Sequence, residues 1–171
     1  DAGLARVLPL GALTARLRGE ALAEFDALTR AGCVAFSQGN TALVDTQVLL
    51  RAMQYAATFG HAVWLRPQDK HLAGEGVAHD GEVAARLGLP AIPAAAETVA
   101  IATALELART TGVRLHLMRL STAGGVALVR RARADGLAVS CDVGVHHLHL
   151  TEMDIGFFDS RARLTPPLRQ Q

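Results

Sequence analysis

The chain has 171 residues, half of them hydrophobic, which is enough to bury a sizeable core in one domain and excludes a disordered segment. Its 17 Lys and Arg residues against 16 Asp and Glu leave a formal net charge of +1, and the basic residues are scattered. This distribution excludes both the basic stripe of a nucleic-acid-binding protein and the basic patch of a protein that binds a membrane surface.

The cysteines and the apolar runs bear on location. Cys33 and Cys141 each lie in an apolar, strand-like run, where a buried reduced thiol is favoured over a disulfide or a metal pair. Reduced thiols are typical of cytoplasmic proteins, and we expect that location. No apolar run approaches membrane-spanning length, and the first residues lack the pattern of a signal peptide.

The first part of the chain alternates short apolar runs with amphipathic ones. Strands are predicted over 7–14, 33–37 and 62–67, and helices over 18–30 and 46–59. The helix predicted over 46–59 has an apolar side at helical spacing, made of Val48, Leu49, Ala52, Met53 and Ala56. A glycine follows this helix, as is typical of a helix end.

The alternation continues after a Gly- and Pro-rich connection over 69–93, which holds one short predicted helix. Helices are predicted over 83–87, 94–111 and 122–135, and strands over 114–121 and 138–150, before a closing loop. Five strands alternating with helices predict an α/β fold with a parallel sheet. Five units are too few for an eight-stranded barrel, and no Gly-rich phosphate loop follows the first strand. The pattern alone leaves open both a doubly wound sheet and a (β/α)8 barrel.

In both architectures ligands meet the carboxyl ends of the parallel strands, so the candidate site residues follow the apolar runs. Gln38, Arg66 and Arg119 lie at the ends of the second, third and fourth predicted strands. A metallohydrolase would place histidine, aspartate or a modified lysine at such positions. The two arginines are instead candidate contacts for a small anion, since a guanidinium recognises carboxylate and phosphate groups.

Hydroxyl side chains also follow strands. Ser37 and Ser121 have no evident histidine and acid partners, and the chain has no G-x-S-x-G motif. Capping of the following helix is therefore the favoured interpretation, and Ser121 with Thr122 is well placed for it.

His147 and His149 would face the same way on an extended strand, which is a workable arrangement for a zinc pair. No third ligand lies near them in the sequence, so we favour hydrogen-bonded structural histidines and keep the metal pair as the alternative. His116, inside an apolar strand, is predicted to be a core histidine with its partners satisfied. The remaining histidines predicted in polar surface connections are His61, His71 and His79.

Several segments, in order, resemble the dihydroorotases of pyrimidine synthesis, members of the amidohydrolase superfamily of (β/α)8 barrels. The matching segments are 11–14, 32–37, 87–90, 96–97, His116, 121–123, 146–148 and 166–169. The resemblance implies that residues 1–171 form a partial (β/α) barrel, a single domain or a fragment of one, holding about strands three to seven. It also implies that strand one, with a His-x-His metal pair, and strand eight, with a catalytic aspartate, would lie outside these residues.

The resemblance further implies that the metal-ligand positions are altered. Gln38 stands where the family draws a bridging carboxylate from strand four, and Arg66 and Arg119 stand where strands five and six offer ligand histidines. Thr165 replaces an asparagine that resembles a substrate contact, and the segment from His147 to His149 matches the strand-seven region of the family. A guanidinium has no lone pair for a metal ion, and its fixed charge repels a dication.

We therefore expect a dihydroorotase-like protein with no catalytic residue and no metal cofactor in this segment. By the family resemblance, it would assemble with aspartate transcarbamoylase in bacterial pyrimidine synthesis. One alternative is an active zinc dihydroorotase whose ligands come from strands outside the segment, and another is a small-anion binder that uses Arg66 and Arg119. Open sheet edges also predict either a fragment of a longer chain or self-association with another copy.

Overall fold

The computed structural model of the protein describes residues 3, 5–42 and 45–170. These residues contain seven short strands, namely β1 (Leu10–Ala12), β2 (Ala35–Ser37), β3 (Ala62–Leu65), β4 (Ala78–His79), β5 (Ala91–Ile92), β6 (Arg114–Leu117) and β7 (Val139–Cys141). Five of them form one parallel sheet, and β4 and β5 form a separate parallel pair.

In the described part of the chain, six α-helices connect these strands. They are α1 (Phe25–Arg30), α2 (Thr46–Thr58), α3 (Lys70–Ala73), α4 (Glu82–Leu87), α5 (Ala95–Thr111) and α6 (Ala123–Ala134). Short 3-10 turns occupy Ala15–Leu17, Val145–Leu148, Glu152–Ile155 and Ser160–Ala162. In the part of the chain that the structure describes, no helix is long and apolar enough to cross a membrane.

The strand order of the main sheet is β1-β2-β3-β6-β7. The order follows the chain without reversing, whereas a doubly wound sheet reverses its order at a switch point. Sequential parallel strands with intervening helices are the arrangement of a (β/α) barrel wall. The sheet order therefore decides between the two architectures that the sequence pattern left open.

The helices pack on one face of this sheet and form the main core. Side chains from α1, α2, α5 and α6 join alternate strand residues there, including Phe36, Val63 and Leu115. The rings of Phe25 and Phe36 stack with their centroids 3.9 Å apart. Burial of this apolar surface is the main source of stability for the sheet.

The opposite face of the sheet would line the barrel interior. The strand register aligns one row of residues across this face, namely Ala12, Ser37, Trp64, His116 and Ser140. The alternate row, which starts at Gly11, points towards the helices, and a Cβ atom at Gly11 would lie only 2.8 Å from the Phe36 ring. Glycine at this position allows α1 and β2 to pack closely against β1.

The long helices agree with the sequence. The predictions over 46–59, 94–111 and 122–135 are confirmed by α2, α5 and α6 to within one residue at each end. Gly112 follows α5 with φ 69°, in the left-handed conformation that glycine adopts without strain.

Several predicted elements are wrong in extent. The strands predicted over 7–14 and 114–121 occupy only Leu10–Ala12 and Arg114–Leu117. The helix predicted over 18–30 begins only at Phe25, because Thr14 pairs with Leu22 and holds the intervening residues in a loop. The strand predicted over 138–150 ends at Cys141, and a 3-10 turn over Val145–Leu148 follows it. The turn starts at Gly144, whose carbonyl accepts a hydrogen bond from the His147 N–H. The helix α3 and the strands β4 and β5 lie in the predicted connection, and they are too short to show a periodicity.

Candidate site at the carboxyl edge of the sheet

Gln38 directly follows β2, and both polar atoms of its side chain are bonded to neighbouring parts of the fold. Its side chain is buried, its Oε1 accepts a hydrogen bond of 2.9 Å from Thr14 Oγ1, and its Nε2 donates one of 2.9 Å to the Leu17 carbonyl. These bonds connect β2 to the loop after β1. The Gln38 amide therefore holds two neighbouring strand ends together.

Arg66 directly follows β3 and is half-buried. Its guanidinium donates from Nη2 to the main-chain carbonyl of Asn40 at 2.8 Å and from Nη1 to the side-chain oxygen of Gln68. Its Nε is buried and has no hydrogen-bond partner among the described residues. Burial, and secondarily the positive charge of Arg119, lower the pKa of Arg66 below its ordinary value.

Arg119 lies two residues after β6, in a backbone conformation that is unusual for a residue with a side chain. Its φ is 56°, and its N–H donates to Asp142 Oδ1 at 2.8 Å. The guanidinium donates from Nη2 to the side-chain oxygen of Asn40 and from Nη1 to the Thr165 carbonyl at 3.4 Å. Strained backbone of this kind is concentrated at functional sites.

Asn40 thus contacts two guanidinium groups, one through its main chain and one through its side chain. The structure brings Arg66 and Arg119 together at this residue, from strands that are adjacent in the sheet. Within the described ranges, no carboxylate forms an ion pair with either arginine. The strand ends therefore carry two like charges whose hydrogen-bond partners are all neutral.

A cleft of about 580 Å³ opens beside Arg119 at this edge of the sheet. Asn40 and Arg119 line it together with Ser37 and Asp142, and its apolar lining includes Leu17. Leu17 also has a positive φ, 59°. Two strained residues therefore border one cleft.

His116 lies on the inner face of β6, and its ring nitrogens are both bonded. Nδ1 lies 2.8 Å from Ser140 Oγ, Nε2 lies 2.9 Å from Asp142 Oδ2, and the ring packs 4.2 Å from the Trp64 ring between centroids. The prediction of a satisfied histidine is confirmed, although its ring lies on the sheet face opposite the helices. Asp142 fixes both this ring and the main chain of Arg119.

A buried carboxylate holds the connection from β6 to α6. Glu97, on the first turn of α5, accepts four hydrogen bonds: from Ser121 N at 2.9 Å, Ser121 Oγ at 2.5 Å, Thr122 N at 2.9 Å and Thr122 Oγ1 at 2.7 Å. Thr122 Oγ1 in turn accepts a bond from Gly125 N, so the predicted cap of α6 is confirmed for Thr122. Ser121 instead serves the Glu97 network. Ser37 does not cap α2, which Asp45 caps.

The buried Arg169 extends this network towards β4 and β5. Its Nε donates to Ser121 Oγ at 3.2 Å, and its Nη1 donates to the Ile92 carbonyl at 2.8 Å and to His79 Nδ1 at 3.0 Å. The prediction that His79 belongs to a polar surface connection is therefore wrong, because the residue lies in β4 and contacts Arg169. Burial and then Arg169 lower the pKa of His79.

His147 and His149 do not lie on an extended strand, so the geometry that suggested a zinc pair is absent. His147 Nε2 lies 3.2 Å from each of the carbonyl oxygens of Pro166 and Pro167, and its Nδ1 is buried with no partner in the described ranges. His149 is exposed after the turn. Among residues 3, 5–42 and 45–170, no group of three or more His, Cys, Asp or Glu side chains could hold a metal ion.

Both cysteines are free thiols, as predicted, but both are half-buried and not buried in the core. Cys33 precedes β2 by two residues, and Cys141 is the last residue of β7. Burial, followed by the charge of Asp142, raises the pKa of Cys141 above its ordinary value.

The chemistry available at the strand ends is that of hydrogen-bond donors. Arg66 and Arg119 cannot offer a lone pair to a metal ion, and the Gln38 amide oxygen is neutral and already accepts a hydrogen bond. These three side chains do not fit a metal centre. Sequence reasoning missed Asn40 and Asp142, although Asp142 follows β7 in the same way that Arg66 follows β3.

The fold is that of a partial (β/α) barrel. The L-hydantoinase (dihydropyrimidinase) of Arthrobacter aurescens superposes with a TM-score of 0.76 at 23% identity, covering 95% of this chain and 38% of that one. A D-hydantoinase (dihydropyrimidinase) from Thermus sp. superposes with a TM-score of 0.73 at 18% identity, covering 94% and 36%. At these identities the likeness concerns the fold.

Sequence relatives identify the family. Residues 1–124 match the protein-family model described as Dihydro-orotase-like. A dihydroorotase-like protein of Pseudomonas aeruginosa is 46% identical over 169 residues, 99% of this chain and 40% of that protein. A dihydroorotase of Anaeromyxobacter sp. (strain K) is 42% identical over 170 residues, 98% of this chain and 39% of that protein. The chain belongs to the dihydroorotase-like family and spans about 40% of the length of these relatives.

Proposed function

We propose that this chain is part of a cytoplasmic dihydroorotase-like protein of pyrimidine biosynthesis that does not hydrolyse dihydroorotate and serves as a structural partner of aspartate transcarbamoylase. The observation that carries the proposal is the pair of guanidinium groups of Arg66 and Arg119 bonded to Asn40. A divalent metal ion at these strand ends would face two fixed positive charges and no lone pair from either side chain.

Relatives with both kinds of name align with nearly the whole chain, at 46% and 42% identity. The overall likeness therefore does not separate an active enzyme from a non-catalytic homologue. The side chains at the strand ends carry this distinction. They are donors where metal-assisted hydrolysis needs ligands that lower the pKa of a bound water molecule.

The scaffold around the cations supports a structural role. The core on the helix side of the sheet is continuous, and the polar groups of Glu97, Ser121 and Thr122 are mutually satisfied. A protein that acts through its folded surface needs such a scaffold and does not need the chemistry at the strand ends.

The association is tested by size-exclusion chromatography of the full-length protein with and without aspartate transcarbamoylase from the same organism. The proposal expects the two proteins to co-elute at micromolar concentration in one larger species. The full-length protein run alone shows whether it self-associates. Independent elution of the two proteins would overturn the proposed partnership.

The metal content of the full-length protein tests the other half of the proposal. The protein, expressed with zinc supplied and then dialysed, should contain far less than one zinc ion per chain by elemental analysis. Stoichiometric zinc would favour the rival interpretation, an active zinc-dependent dihydroorotase with ligands from strands outside this segment.

A further inference from the structure

We propose that Arg119, Asn40 and Arg66 form a binding site for a small oxyanion with about two negative charges, such as phosphate or a short dicarboxylate, at the mouth of the cleft. This site is independent of aspartate transcarbamoylase. In this proposal, the arginines that replace the metal ligands of the family bind an anion.

The positive charges at the strand ends favour a bound anion. Two half-buried guanidinium groups contact the same residue, Asn40, and every bond that they make within the described residues goes to a neutral oxygen. Because both guanidinium groups contact Asn40, their positive charges lie close enough to repel each other, and partial burial reduces the screening of this repulsion by water. A dianion bound beside Arg119 and Asn40 would offset this repulsion, as a carboxylate does in an ion pair.

Arg119 and Asn40 have hydrogen-bond donors left for a ligand. A guanidinium has five N–H donors, and Arg119 uses one on Nη1 and one on Nη2. The Asn40 side chain accepts through its oxygen, which leaves its NH2 group as a further donor beside the same cleft. An anion at the mouth can therefore accept several charge-assisted hydrogen bonds from Arg119 and Asn40, while Arg66 adds its charge from behind Asn40.

The main chain of Arg119 is held rigidly beside the cleft. Its left-handed backbone is fixed by the bond from its N–H to Asp142, and the second oxygen of Asp142 bonds to His116. The Asp142 carboxylate is thus engaged by the main chain and by a ring, and it does not pair with the guanidinium. A residue held in a strained conformation beside a cleft is pre-organised for a ligand.

The test is isothermal titration of the full-length protein, dialysed against a chelating resin, with inorganic phosphate and in parallel with malonate at low ionic strength. Arg119→Ala should weaken binding at least tenfold, and Arg66→Ala should weaken it severalfold. Arg119→Lys, which keeps the charge without the fork, should have an intermediate affinity. The matched control is Arg130→Ala, an exposed arginine of α6 with no ion pair among the described residues, which should leave binding unchanged.

The two titrations distinguish the source of the charge, since preference for phosphate or for malonate identifies the ligand class. Absence of binding of both anions at millimolar concentration would overturn the proposal, as would equal losses in Arg119→Ala and Arg130→Ala. Circular dichroism confirms that each variant is folded, and Arg119→Lys keeps the test decisive if Arg119→Ala does not fold. Because the titration uses metal-free protein, its outcome is separate from the zinc measurement.

Discussion

Two polar clusters lie near each other after β6 and differ in how completely their charges are satisfied. The buried carboxylate of Glu97 accepts four hydrogen bonds from Ser121 and Thr122. The guanidinium groups of Arg66 and Arg119 contact neutral oxygens, and Arg66 Nε is buried with no partner among the residues that the structure describes. A charge saturated by its own scaffold stabilises the fold, whereas a charge left with spare donors is available to a ligand.

The largest effect should come from Glu97→Ala. The substitution leaves two main-chain N–H groups and two hydroxyls of Ser121 and Thr122 without their acceptor, and it removes the hydrogen bonds between α5 and the segment before α6. We expect a loss of about 3 kcal/mol in the free energy of unfolding. Urea denaturation of the full-length protein measures it, with Glu106→Ala on the exposed side of α5 as the control. Equal effects of the two substitutions would show that the Glu97 cluster does not stabilise the fold.

Gly125→Ala approaches the same cluster from the other side. A Cβ atom there would lie 2.6 Å from Glu97 Oε1 and 2.8 Å from Ile101 Cδ1, so the carboxylate must move. We expect a loss of about 2 kcal/mol, because steric displacement outweighs the gain in helix propensity. Ala127→Gly at an exposed position of α6 gives the scale of propensity alone, about 1 kcal/mol. A stabilised Gly125→Ala protein would contradict the close packing of this cluster.

The pH dependence of stability tests the effect of burying the His147 ring. Burial is the main cause that lowers the pKa of His147, so the folded state disfavours the protonated ring. The unfolded state then binds more protons, and stability should fall as the pH decreases below the ordinary histidine pKa of about 6.5. His147→Gln should flatten this dependence between pH 7 and pH 5 in urea denaturation. His79, whose pKa is also lowered, continues to contribute to the slope. If the free energy of unfolding of the variant depended on pH as in the unmodified protein, His147 would not be the source of the effect.

The smallest effect should come from Arg119→Gln. The substitution removes one of two repelling charges, and this gain offsets the loss of the hydrogen bonds to Asn40 and Thr165. We expect the free energy of unfolding to change by no more than about 0.5 kcal/mol. A loss comparable to that of Glu97→Ala, measured in the same urea titrations, would mean that Arg119 belongs to the scaffold and not to a ligand site.

Much of the scaffold could be predicted from the sequence because α2, α5 and α6 are long enough to show an apolar face. The end of β7 could not, since Val143, Val145 and Leu148 continue an apolar pattern beyond Cys141, where the chain turns at Gly144. Local periodicity does not detect such a turn. The residues Gln38, Arg66 and Arg119 could be selected from their positions after strands, which parallel-sheet geometry places at one edge.

The contacts of these residues could not be predicted from the sequence. Asn40 meets Arg119 across 79 positions of the chain, and Arg169 reaches His79 across 90. Such contacts depend on the sheet order and on the path of the closing segment. His79 shows the same limit, because its polar sequence surroundings suggested a surface position while the fold places it beside a buried arginine.

We propose that the strand-end cations exclude metal-assisted hydrolysis, and the most direct test is dihydroorotate hydrolysis by the full-length protein. The protein is freshly purified with zinc supplied and is assayed beside an active dihydroorotase as a positive control. The account predicts no turnover above the uncatalysed background, whether zinc is added or removed. Turnover that a chelator abolishes would contradict it and would assign the metal ligands to residues outside this segment.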